Sequence, residues 1–63
     1  MTPMEEARRS RGMTQSELAE KTGCTQGRIS HLEKRIARPS PELAKRLAAV
    51  LELDVLKILY PGD

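Results

Sequence analysis

The 63 residues predict an all-α fold of five short helices. Three observations carry that expectation. Apolar residues recur at helical spacing, and no segment alternates in the manner of a half-buried strand. Helix-start signals, a Thr, Ser or Asp cap followed by Pro or by Glu three residues on, recur along the chain. Glycine or proline follows several of the resulting segments, where a helix ends at little cost.

The first helix reads from Met1 to Arg11. Thr2 caps it, Pro3 suits its first position and Glu5 completes a capping box. Met4, Ala7 and Arg8 fall on its inner side, and Gly12 stops it.

The stretch from Met13 to Glu33, MTQSELAEKTGCTQGRISHLE, organises the rest. Thr14 and Glu17 form a capping box, with Met13 and Leu18 at the spacing of a hydrophobic staple. Gly23 ends this second helix, where positive φ is needed. Thr25 caps the third, and Cys24 and Ile29 repeat the staple spacing. Leu18, Ala19, Cys24, Ile29 and Leu32 supply the buried side, Ala19 being small where the two helices cross. Helix, glycine corner, helix over residues 14–34 is the helix-turn-helix pattern.

Arg35 to Pro39 reads as a loop, because Pro39 biases its predecessor away from helix. Ser40 and Pro41 open a fourth helix. Its inner face is Ala44, Leu47, Ala48 and Leu51, widened by Leu43 and Val50. Asp54 caps a last helix, Val55 to Tyr60, which Pro61 and Gly62 terminate.

Size and composition narrow the function. The chain is a single domain, residues 1–63, near the lower limit for a self-sufficient core. Tyr60 is the only aromatic residue, so that core must be aliphatic. One cysteine excludes an internal disulfide framework and a cysteine-based zinc site. His31 has no second His or Cys with which to bind a metal, and Cys24 reads as a small buried hydrophobe. No cofactor or metal is expected. With no apolar run long enough to span a membrane and no signal-peptide core, a cytoplasmic protein without membrane contact is expected. One histidine and no paired-carboxylate constellation leave no catalytic residues to name and argue against an enzyme.

The net charge of +2 is unevenly spread. Between residues 21 and 38 five bases (Lys21, Arg28, Lys34, Arg35, Arg38) face one acid, Glu33, a local balance of +4. That is either a solvated face or the footprint of a polyanion site, and its position beside the third helix favours the second.

At about 100° per residue, placing Ile29, Leu32 and Glu33 inward turns Gly27, Ser30, His31 and Lys34 outward, with Gln26 and Arg28 at the margins. No member of that face is apolar. Gln pairs bidentately with adenine and Arg with guanine in a major groove that admits a helix. Gln26 and Arg28 are the foremost base readers, His31 lies one turn deeper, and Ser30 and Lys34 are weaker candidates. Gly27 disfavours the helix by roughly 1 kcal/mol relative to alanine. Close approach of the backbone to a ligand and a tolerated first-turn glycine both explain it. Phosphate contacts, which fix register without reading sequence, fall to the helix starts and the loop. The residues concerned are Gln15, Thr25, Lys34, Arg35, Arg38 and Ser40.

The chain resembles the phage-repressor and Cro-like helix-turn-helix regulators, also called the xenobiotic-response-element type. The resemblance runs from Met4 to about Tyr60. Its carriers are Arg8, Gly12-Met13-Thr14-Gln15, Glu17-Leu18-Ala19, Gly23, Thr25-Gln26, Ile29, Leu32-Glu33, Pro39-Ser40 and Leu47-Ala48 with Leu51. It implies a compact, lambda-repressor-like five-helix bundle whose third helix enters the major groove of operator DNA. It also implies base contacts at Gln26, Gly27, Arg28 and His31, a phosphate contact at Gln15 and a structural ion pair between Arg8 and Glu33. The chain departs from the family at four places. Gly27 replaces a frequent reading side chain. Arg35 and Glu52 stand at helix ends where glycine is frequent, and a left-handed conformation there costs about 1 kcal/mol. Leu56 replaces a common polar residue and, with Leu59 and Tyr60, makes an apolar surface suited to a dimer interface.

The expected function is therefore a sequence-specific transcriptional regulator, repressor-like, that binds double-stranded DNA as a homodimer with recognition helices about 34 Å apart. Control is expected through concentration and dimerisation, with no small-molecule ligand. The alternative is a protein-interaction module, antitoxin-like or regulator-binding, for which DNA is secondary.

Overall fold

A computed structural model describes residues 1–61, and the part of the last helix stop assigned to Gly62 lies outside them. The order is α1 (Pro3–Ser10), α2 (Gln15–Thr22), α3 (Gln26–Glu33), α4 (Pro41–Leu51) and α5 (Val55–Leu59), with no strand among the described residues. Principal extents are 24 × 22 × 20 Å. α4 lies at the centre, packed on α1, α2 and α5, while α3 leans chiefly on α2. No helix among the described residues is long and apolar enough to cross a membrane.

The helix starts follow the sequence. In α2 both arms of the capping box are made: the Glu17 amide donates to the Thr14 hydroxyl at 3.0 Å and the Thr14 amide to the Glu17 carboxylate at 2.9 Å. That carboxyl is held below its ordinary range, first by the Thr14 amide and then by the Thr14 hydroxyl. The expected box in α1 is only half made. Thr2 accepts from the Glu5 amide, but the Glu5 carboxylate turns to Arg9 at 2.9 Å instead. The first and last helices are also shorter than expected, Pro3–Ser10 and Val55–Leu59, because Arg11 and Tyr60 leave helical geometry as caps.

The helix ends are less regular. Gly23 takes positive φ, as expected, and so do Gly12, Arg35 (φ 62°) and Glu52 (φ 52°). After α3 the Ile36 amide reaches back to the His31 carbonyl at 2.9 Å and the Arg35 amide to Leu32 at 3.1 Å. That is the Schellman closure, with arginine in the left-handed position that glycine holds after α1.

The core is aliphatic: Met4, Leu18, Ala19, Ile29, Leu32, Leu43, Ala44, Leu47, Leu51 and Ile58 are buried. Cys24 is half-buried against it. Leu59 departs from the expected surface role. It packs half-buried against the core, so of the three residues assigned to an interface only Leu56 and Tyr60 stand out, 58 % and 68 % exposed. Ile36, 69 % exposed, was not singled out from the sequence.

Candidate nucleic-acid interface

The corner between α2 and α3 sets the site. Gly23 turns the chain through the left-handed region, and Thr25 restarts it by accepting the Arg28 amide at 3.1 Å. Ile29, Leu32 and Glu33 are then buried, Ile29 completely. Gln26, Gly27, Arg28, His31 and Lys34 are exposed on the other side, and Ser30 is half-buried at the margin. The free face has no apolar member. A Cβ added to Gly27 would meet nothing within 4 Å, so the protein's own packing does not require glycine there.

α1, α2 and α4 each carry acid in the first turn, whereas α3 and α5 carry none and hold a base at the third position, Arg28 and Lys57. A cation at the positive end of a helix dipole is unfavourable unless an anion sits nearby.

Beneath the face runs a polar chain. Arg8 and Glu33 form a fork-to-fork ion pair, Nε to Oε2 at 2.6 Å and Nη2 to Oε1 at 3.1 Å, almost wholly buried at 9 % and 3 % side-chain exposure. The guanidinium also donates to the Met13 carbonyl at 2.8 Å. Its bonds to Glu33 outweigh the opposing effect of burial and push its pKa up, so Arg8 stays charged. Gln15 donates to Glu33 Oε1 at 2.9 Å and accepts from Gln26 Nε2 at 2.5 Å. The chain Arg8–Glu33–Gln15–Gln26 thus runs from the interior to the exposed start of α3. Among the described residues no buried side-chain N or O lacks a partner.

This chain changes the part played by Gln15. Assigned from sequence to phosphate alone, it holds Gln26 with its oxygen and Glu33 with its amide nitrogen. Sequence reasoning missed the brace, yet a signal exists. Gln15 and Gln26 each take the first helical position after a threonine cap, so Thr-Gln opens two consecutive helices. Lys34, Arg35, Arg38 and Ser40 are exposed along the far end of α3 and the following loop, and Thr25 is exposed at its near end. Ser40 also caps α4 by accepting the Leu43 amide at 3.2 Å. Among the described residues no cluster of His, Cys, Asp or Glu could hold a metal.

Comparison with known proteins gives matches of two kinds. A family model described as helix-turn-helix matches residues 4–58. The solved N-terminal DNA-binding domain of SinR from Bacillus subtilis shares 32 % identity over 89 % of this chain and 83 % of its own, with a TM-score of 0.79. No curated protein sequence matches.

Proposed function

The chain belongs to the helix-turn-helix family, and on that premise we propose that it is a transcription regulator that binds specific double-stranded DNA sites. The observation that carries the reading is the exposed, wholly polar face of α3, braced from below through Gln15. Gln26 keeps its amide oxygen and one N–H beyond the bond to Gln15. Those two groups suffice for the bidentate pairing with adenine. Arg28 has the fork that suits guanine, and His31 reads one turn deeper. Ser30 reaches in from the margin, and Gly27 lets the backbone come close. Lys34, Arg35, Arg38, the helix starts at Thr25 and Ser40, and the remaining N–H of Gln15 take phosphates.

A single short helix discriminates few bases, so the regulator acts as a homodimer on a pseudo-palindromic operator. Leu56 and Tyr60, exposed one turn apart, support α5 as the interface.

The test is titration into random and selected duplexes at several salt concentrations. Log affinity should fall linearly with log salt as phosphates are neutralised. Arg28→Ala should lose discrimination between sites, while Lys34→Ala should weaken all sites alike. Gln15→Ala combines both effects, since it also frees Gln26. No binding at low salt would refute the proposal and favour the protein-interaction reading.

A further inference from the structure

A groove of about 330 Å³ opens between the amino end of α1, the α3–α4 loop and α5. That volume is at the lower end of small-ligand sites, roughly 300–1,000 Å³. The floor is apolar and buried, formed by Met4, Leu32 and Ile58. Arg35, Arg38 and Lys57 stand on the rim, and none of the described lining residues is acidic. Neither Arg38 nor Lys57 has a side-chain hydrogen bond or ion pair among the described residues.

An apolar floor below a cationic rim selects one kind of small molecule. The apolar body displaces water from Met4, Leu32 and Ile58. The acidic head gains charge-assisted hydrogen bonds from the rim. We propose that this groove binds a small aliphatic carboxylate, and that the bound anion competes with DNA for Arg35 and Arg38. The competition follows from position, because the same two arginines face the groove and flank the end of α3. It rests on the proposed phosphate contacts; the binding itself does not. The absence of a small-molecule ligand expected from the sequence is at odds with this groove, which is assembled from α1, the loop and α5 and leaves no local mark in the chain.

The test uses octanoate on the free protein, followed by amide NMR shifts. Saturable shifts are expected at Ala37, Arg38, Ile58 and Leu59. Octan-1-ol, with the same body and no charge, should bind at least about ten-fold more weakly. Lys57→Gln should weaken octanoate several-fold and leave octan-1-ol unchanged. Octanoate should then release a labelled duplex at fixed ionic strength, with acetate as the salt control.

No saturable shift, or equal binding of acid and alcohol, overturns the site. Groove resonances that move with protein concentration and not with octanoate would make a second copy of the chain the occupant, which also overturns it. Octanoate binding without release of the duplex overturns the competition. A protein that binds octanoate but no duplex refutes the DNA reading alone, and the reverse result refutes the groove alone.

Discussion

Replacing Arg28 with glutamate should stabilise the free protein and abolish its discrimination between DNA sites. The stabilising part follows from comparing two helix starts. α2 opens Thr14-Gln15-Ser16-Glu17 and closes both arms of its box; α3 opens Thr25-Gln26-Gly27-Arg28 and makes only the hydroxyl arm. Arg28→Glu supplies the missing carboxylate for the Thr25 amide, a bond contributing about 0.5–1.5 kcal/mol. It also exchanges a cation for an anion at the positive end of the dipole, each worth about 0.3–1 kcal/mol. A net gain of about 1–2 kcal/mol is expected, raising Tm by roughly 4–8 °C for each kcal/mol in a domain of this size. Thermal and urea unfolding followed by circular dichroism read it directly. Against DNA the same change should remove the base contact proposed for Arg28, about 1–3 kcal/mol for a bidentate pair, and place a carboxylate among phosphates. Arg28→Gln, which can still close the box without charge, should give a smaller gain. A protein no more stable than the parent would refute the claim that Arg28 is held against the interest of its own helix. A more stable protein with undiminished discrimination would remove Arg28 from the interface.

Four further outcomes are expected. Glu33→Ala leaves the Arg8 guanidinium buried with its bond to the Met13 carbonyl and without its carboxylate, and should cost about 3–5 kcal/mol; Arg8→Met with Glu33→Leu should recover most of that in urea titrations. Gly27→Ala should stabilise the free protein by about 0.5–1 kcal/mol, since its Cβ meets nothing, yet weaken duplex binding if the helix backbone approaches DNA closely. The Glu17 carboxyl, depressed in the folded state, should titrate below the ordinary glutamate value of 4.5 by NMR. Its contribution to stability is therefore present above that pH and lost as pH falls through the folded value, a component that Glu17→Gln removes. Glu52→Gly relieves a left-handed glutamate but breaks its 2.6 Å pair with Arg11, so the full gain of about 1 kcal/mol should appear only in an Arg11→Gln background.

The parts of this fold legible in the chain are those decided within three or four residues. Thr14 with Glu17, Thr25 with Arg28 and Ser40 with Leu43 are hydrogen bonds closed inside one turn, and each start was readable for that reason. Helix ends were harder. Nothing at Arg35 or Glu52 marks a positive φ, because neither residue type is chosen for that conformation; they were visible only as departures from a family's glycines. In α5, five residues long, the sequence admits more than one inner face, and the interior takes Ile58 fully and Leu59 in part. The Gln15–Gln26 brace joins residues eleven apart through the crossing of two helices, a tertiary fact that the repeated Thr-Gln only hints at.

That brace also decides which features of the interface can vary independently of the fold. Glu33 lies in the interior and Gln26 at the surface, and Gln15 bonds to both. A change at Arg8, Glu33 or Gln15 therefore reaches the exposed start of α3 by way of a side chain that no longer holds its neighbour. Arg28, His31 and Lys34 stand outside this chain, exposed and without a role in the core. On the proposed reading, site preference can be altered at Arg28 and His31, and overall affinity at Lys34, with the scaffold intact, whereas alteration at Gln26 must keep a partner for Gln15. A braced Gln26 beside freely exchangeable neighbours is what this small domain gains by extending the buried Arg8–Glu33 pair to the surface.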